Sequence, residues 1–452
     1  SETRPEPTHA HADGRGESRV ERSRSAGADV ADNEYWLTHT AHQTDGKDCC
    51  FVVIGQLQRM VRKDERGRCR QSGLRPPCDP YQSTRAPGRA RHTRETLDTM
   101  DTTSRTEQNK QFTRDLFAGT APRHGFMCRP QMVSLLETPY GDVTISKEPV
   151  SEWVPWVVEN YRRQTEALER LGDDSVPLAH LSTATHIFAQ AFGAPVHVFE
   201  DSNPCALPLV ANAAEADAIE LPDLWSVESL CRLFELGNLV RRELGADVDL
   251  GICDMQTGFD IACLIWNKED LLCSTVLDPD AVKRLQAKCA SLLKTFLVEF
   301  RREFPTMSPC HCPGIWVPPH FGPWVSADEV GALSTPMFEE FCLPELVDLS
   351  KTFGGIALHC CADAEHQFPS FNKIPDFYAF NRVAARHGYM PLLEHFAGPD
   401  APVHVLAWVP DFDTQRLIQE APDGTRFIFV RMGGLSDDYE QAARWLESMR
   451  TI

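Results

Sequence analysis

Eight short apolar runs, most of them followed by an amphipathic helical pattern, span roughly the last 350 residues of this chain and leave few architectures open to it. Strands are expected at His124–Pro130, Val196–Asp201, Leu250–Asp254, Gly314–Val317, Gly355–Cys361, Phe377–Asn381, Val403–Val409 and Arg426–Met432. Helical periodicity is clearest over Trp153–Leu171, Val227–Leu244, Ala281–Phe304, Pro336–Phe353 and Tyr439–Met449. Pro279, directly after Asp278, is a helix-start signal. Such alternation predicts a closed parallel (β/α)8 TIM barrel, with a doubly wound open sheet as the alternative. No glycine fingerprint for a dinucleotide or a phosphate loop accompanies it.

The texture changes at Met100. Residues 1–99 are rich in Arg, Ser, Gly and Pro, with little apolar sequence beyond Phe51–Leu57. Such a segment buries too little surface to offset chain entropy, so disorder is expected there. Residues 1–99 are read as a disordered extension or a start-site artefact, with a basic interaction tail as the rival, and 100–452 as the barrel. The charge divides at the same place. Residues 1–99 carry 17 Lys/Arg against 15 Asp/Glu, and the remainder 28 against 50. An acidic body of that kind speaks against a nucleic-acid surface. Apolar runs fall far short of a membrane span. The 16 cysteines show no spacing of a secreted disulfide framework. A reducing cytoplasm is the expected compartment.

In a parallel barrel, function belongs at the C-terminal ends of the strands. Those ends supply Cys128 and Arg129, Glu200 and Asp201, Asp254 and Gln256, His359 and Cys361, Asn381, Asp411, and Arg431. The run Gly354-Gly-Ile-Ala-Leu-His359-Cys360-Cys361 is the most informative. Positions two apart on a strand share a face, so an imidazole and a thiol project together at its tip. That pair suits a metal or a reacting group, although a packed, inert pair has the same signature. Arginines beside carboxylates in one mouth predict a polar, anionic substrate. Cys310-His311-Cys312 with His320 is dense in soft ligands but lacks paired Cys-x-x-Cys spacing. Trp316, His320, Phe321 and Trp324 fall in a proline-broken loop that is read either as a lid or as ordinary loop packing.

The order of segments resembles the uroporphyrinogen decarboxylase family from about Phe112 onward. The resemblance rests on Phe188-Ala-Gln-Ala-Phe-Gly193-Ala-Pro-Val, Thr257-Gly258-Phe259 with its helix to Leu277-Asp278-Pro279, Leu333-Ser-Thr-Pro-Met-Phe-Glu-Glu-Phe-Cys-Leu-Pro344, and the Leu358-His359-Cys360-Cys361 strand end. It implies a (β/α)8 barrel acting on a tetrapyrrole or related carboxylated substrate, as a carboxy-lyase that needs no cofactor. The chain departs from the decarboxylases at Phe126-Met-Cys-Arg129-Pro-Gln, at Leu181-Ser-Thr-Ala-Thr-His186 and at Arg431-Met432-Gly433. These leave Arg129 to hold a substrate carboxylate.

The related corrinoid-linked methyltransferases imply a second chemistry, in which zinc on a His-x-Cys and a later cysteine activates a thiol. His359 and Cys361 match two of those ligands, and no cysteine follows Cys361. His366 or Glu365 is expected to complete a three-ligand site, and the candidates for the third ligand are ranked His366, Glu200 and Asp254. His359 and Asp254 are the expected catalytic residues, and Arg129, Arg431, Glu200 and Asn381 the expected substrate contacts. A non-catalytic barrel binding a tetrapyrrole or a corrinoid protein remains a third reading. Expected partners are a small-molecule substrate, with no nucleic acid and no membrane, and a homodimer is left open.

Overall fold

The computed structural model describes residues 102–130, 132–200, 202–383, 386–398, 400–407, 409, 411–432 and 439–451. The expectations for residues 1–99 lie outside them. Ten strands occur among the described residues: β1 Gly125–Cys128, β2 Ala179–His180, β3 Val196–His197, β4 Cys205–Ala206, β5 Leu250–Gly251, β6 Trp324–Ser326, β7 Ile356–Cys360, β8 Phe377–Arg382, β9 Val403–Ala407 and β10 Phe427–Arg431. Six make one parallel sheet in the order β1-β10-β9-β8-β7-β6. β2 and β5 form a separate parallel pair. Among the described residues one parallel bridge, Gln256 to Ser326, links the segment after β5 to β6.

No ladder joins β1 to β2 among the described residues. There the Phe126 amide donates to Asp174 Oδ2 at 2.9 Å and the Cys128 amide to Asp173 Oδ2 at 2.5 Å. Asp174 N donates in turn to Phe126 O at 3.1 Å. Two carboxylates thus satisfy amides that an unpaired strand edge would leave bare. The result is a TIM-like α/β architecture with strands in chain order and helices packed outside them.

Alternation sorts the strands' side chains. Ala357, Ala379, Val403, Val405, Ala407, Ile428 and Val430 form an inner cluster with Met127 and Trp324. Ile356, Leu358, Cys360 and Phe380 face the helices instead. Burial on both faces explains why these strands read as continuous apolar runs. Outside, Val282, Leu285, Cys289, Leu292, Leu293, Phe296 and Phe300 form the buried stripe of helix Pro279–Glu303.

Two expected strands need correction. Gly314–Val317 is not a strand. Ile315 and Val317 fill the inner cluster from an irregular segment, with Ser308 Oγ donating to Ile315 O and accepting from Val317 N. The sheet strand is the three-residue β6. Val196–Asp201 is replaced by β3, one arm of an antiparallel hairpin with β4. The predicted helix Pro336–Phe353 is two, Thr335–Phe341 and Leu343–Phe353. Pro344 lacks an amide hydrogen and is tolerated only in the first turn of the second. No helix among the described residues is long and apolar enough to cross a membrane.

His404 sits on the outward face of β9, fully buried against the rings of Phe396 and Phe427. Burial pulls its pKa down to about 4. The neutral ring is therefore the folded form, and the unfolded chain takes up the proton first. Stability from this site is complete above about pH 6.5 and is lost as pH falls toward 4, to a maximum of about 3 kcal/mol. His404→Leu is expected to flatten the fall of the urea midpoint between pH 7 and pH 4.5 relative to the parent chain. An unchanged slope refutes the assignment.

Candidate active site at the strand ends

Parallel register sets the site. Ser326 of β6 pairs with His359 of β7, and His359 with Asn381 of β8, so three polar side chains stand in one row at the C-terminal end of the sheet. All three are buried. Asn381 Nδ2 donates to Val405 O at 2.6 Å, which turns its amide oxygen toward His359 Nδ1, also at 2.6 Å. An amide oxygen accepts only, so Nδ1 carries the proton and Nε2 keeps its lone pair. That Nε2 lies 3.0 Å from Cys361 Sγ.

The segment after β6 adds a residue that strand-end reasoning did not find. The Asp328 carboxylate accepts from the Cys361 amide at 2.5 Å. Ligand atoms of Asp328, His359 and Cys361 all lie within 4.8 Å of one another. Asp328 is held from behind by Asp260, on the first turn of helix Gly258–Ile265. Asp260 Oδ2 accepts from Asp328 N at 2.6 Å and Oδ1 from Glu329 N at 3.3 Å. Burial, then the neighbouring charges of Asp328 and Glu329, push the Asp260 carboxyl well above the usual range.

Burial also lowers the pKa of His359. Loss of hydration, with the Asp328 carboxylate second, holds the Cys361 thiol far above its ordinary value. In the bare protein these effects favour a neutral imidazole beside a neutral thiol. A bound cation reverses the sign of the local field.

Asp254, beyond β5, faces the same region. Its Oδ2 lies 3.4 Å from His311 Nδ1, and its Oδ1 is buried with no hydrogen-bond partner among the described residues. His311 Nε2 is 3.4 Å from Ser326 Oγ, and its ring centroid is 6.0 Å from that of His359. The Cys310-His311-Cys312 segment therefore contributes its histidine to the mouth, while Cys310 packs in the inner cluster.

Arg129 continues the inward face of β1. It donates to Pro313 O and lies against Gly314 beside His180. Burial lowers its pKa, and no carboxylate pairs with it among the described residues. Burial also drives His180 down to about 3.

Three expected site residues lie elsewhere. Arg431 is on the outward face of β10, its guanidinium 5.7 Å from the Trp445 ring, so it does not share a cavity with Arg129. Glu200 is exposed beside β3, in the hairpin apart from the parallel sheet. His366 is exposed, and its Nε2 lies 2.8 Å from Leu333 O rather than among the three donors. Asp201 falls outside the described residues, and Asp411 opens helix Asp411–Glu420.

The aromatic loop is not a lid over this site. Phe321 packs on Phe117 and Tyr378, Trp316 donates to Asp249, and Trp324 begins β6. These residues plug the opposite end of the strands.

No protein-family model matches the chain, and no curated protein matches it. Among solved structures, a methyltransferase from Methanosarcina mazei is similar in fold, with a TM-score of 0.52 and 11% sequence identity. The match covers 76% of this chain and 98% of that one. It is a distant structural relation to an enzyme, shown at the level of fold.

Asn381 is the residue on which the His359 tautomer depends. Asn381→Leu is expected to mix the two ring tautomers, read from the ¹⁵N shifts of the His359 ring. Leaving a buried donor unsatisfied also costs about 1–3 kcal/mol of stability. A single unchanged tautomer in the variant contradicts the assignment.

Proposed function

We propose that this chain is a metal-assisted methyltransferase, in which Asp328, His359 and Cys361 would hold a zinc ion and a methyl group passes from a methylcorrinoid to a thiol substrate, the cobalt–carbon bond breaking as the sulfur–carbon bond forms and the thiol proton leaving to a base. The observation that carries the reading is the convergence of three donors of the types zinc takes within 4.8 Å. Zinc binds such ligands at about 2.0–2.3 Å, so tetrahedral neighbours about 3–4 Å apart fit that spacing. Three protein ligands leave a fourth position for substrate. The Nδ1–H tautomer imposed by Asn381 is the one in which Nε2 can ligate. Bound zinc would supply Lewis acidity, keeping a thiol ionised near neutral pH.

The chain's own residues supply the remainder. Asn381 orients His359, and Asp260 holds the backbone that presents Asp328. His311, with Asp254 3.4 Å from its Nδ1, would accept the proton that a substrate thiol gives up. The fold-level likeness to a methyltransferase is compatible with this reading.

A carboxy-lyase acting on a carboxylated, tetrapyrrole-like substrate is the second reading. It is favoured by Arg129, an arginine facing the strand interior with no carboxylate partner among the described residues. A guanidinium so placed suits a substrate carboxylate in either chemistry.

Metal analysis of the purified chain is expected to find about one zinc per molecule. Cys361→Ala and Asp328→Asn are each expected to weaken zinc at least tenfold, and His366→Ala to leave it unchanged. Stoichiometric zinc retained in Cys361→Ala, or no zinc in the parent after zinc loading, overturns the metal reading.

Arg129→Lys provides a separate check, because an ammonium cannot reproduce the two-pronged contact of a guanidinium. Affinity for a carboxylated substrate is expected to fall about tenfold or more, as measured by equilibrium binding. Undiminished affinity removes Arg129 from the site.

A further inference from the structure

A concave site lies between the segment that follows β1 and the first turns of helix Val154–Leu171, and it shares no residue with the donor group at the strand ends. It is a cavity of about 280 Å³, walled by Tyr140, Trp153 and Trp156 and fringed by Glu137, Glu152 and Glu159. No lysine or arginine lines it.

The walls are fixed through their polar edges. Trp153 Nε1 donates to Gly141 O and Trp156 Nε1 to Val133 O, both at 2.9 Å. With its indole N–H satisfied by backbone, the half-buried Trp156 keeps a ring face for other contacts, whereas Trp153 is 1% exposed and serves as backing. Tyr140 and Trp153 meet with centroids 5.7 Å apart and planes at 53°, forming a corner rather than a stack. Trp153 already carries one cation, the Arg232 guanidinium, 5.6 Å from its centroid and tied to Val143 O and Glu148 O. The open walls are Tyr140 and Trp156.

Glu137 and Glu152 bring carboxylates to the rim with no cationic partner among the described residues, whereas Glu159 is paired with Arg162 and Arg163. Glu152, with Glu148 behind it, raises the pKa of Tyr140. Glu159 is held down to about 2 by hydrogen bonds from Arg162 and Arg163, so it is ionised at neutral pH.

These features select among ligands. Carboxylates exclude an anion. A primary ammonium brings three N–H donors that the rim carboxylates could meet but the aromatic walls could not, so it would stay at the rim. A divalent metal needs converging oxygens, and these carboxylates form no compact donor group. A quaternary ammonium carries positive charge, donates no hydrogen bond and presents apolar methyl surface, which is what aromatic faces beside carboxylates accommodate.

We propose that this pocket binds the trimethylammonium group of a small, free quaternary amine. The site stands apart from the metal reading and survives its failure.

Tetramethylammonium and choline serve as probes, titrated into the full chain at constant ionic strength with tryptophan fluorescence and calorimetry as readouts. Both are expected to bind saturably, with the neutral choline isostere 3,3-dimethylbutanol at least tenfold weaker. Trp156→Leu is expected to abolish choline binding. Glu152→Gln, at an exposed position that cannot unfold the chain by cavity formation, is expected to weaken it several-fold. Equal binding of the neutral isostere overturns the proposal, as does absence of saturable binding by both cations. Unaltered choline affinity in Glu152→Gln and a folded Trp156→Leu does so too. Phosphatidylcholine vesicles are expected not to sediment with the chain. Co-sedimentation would replace the free amine with a lipid headgroup and overturn the assignment.

Discussion

Parallel pairing of β6, β7 and β8 is the constraint from which the strand-end site follows. In a parallel ladder, residues in register point to the same face, so one decision about alignment places Ser326, His359 and Asn381 side by side. A slip of one residue would turn all three toward the helices and bring Cys360 and Arg382 inward. The apolar inward residues behind them, Ala357, Ala379 and Val405 among others, resist that slip because their partners in the inner cluster would be exchanged for larger side chains. Core packing and site geometry are therefore consequences of the same register.

What could be read from the sequence follows from how local each signal is. The His-x-Cys tip of β7 was legible because strand periodicity alone puts two alternate side chains on one face. The long helices were legible for the same reason, and helix Pro279–Glu303 announced its start with a proline. Asp328 was not, because the strand that precedes it was sought at Gly314–Val317. Ile-Trp-Val there imitates a buried strand, whereas β6 is three residues placed among aromatics that read as loop. With the strand misplaced, its following loop was also misplaced. Arg431 was misjudged differently. Its position at a strand end was correct, but parity along Phe427–Arg431 assigns it to the face with Phe427 and Phe429, against Trp445. Parity is present in the sequence and needed only to be carried one strand further.

Asp260 was beyond reach for a third reason, and so were the roles of Asn381 and His311, although Asn381 was expected at a strand end and His311 stood in a segment dense in soft ligands. Their importance lies in what they hold across 68, 22 and 57 residues of intervening chain, namely Asp328 N, His359 Nδ1 and the Asp254 carboxylate. Nothing in their immediate sequence distinguishes them from a helix cap, a strand amide or a loop histidine. Contacts of that length are written only in the tertiary structure.

The electrostatics of the mouth are what the proposed zinc would act on. Asp254 and Asp328 bring carboxylates to a region where His359 is neutral by burial and the Cys361 thiol is discouraged from ionising. In low dielectric, unneutralised carboxylates are costly, and the orphaned Asp254 Oδ1 shows that hydrogen bonds have not fully met that cost. A bound dication would offset the carboxylate charge and make the thiolate the favoured form. Arg129 supplies a positive charge on the inward face of β1, without a carboxylate of its own among the described residues. Of the groups concerned, His359 lies within a strand, while Asp328, Cys361 and Arg129 follow directly or closely on the ends of β6, β7 and β1, so the sheet sets where each of them begins.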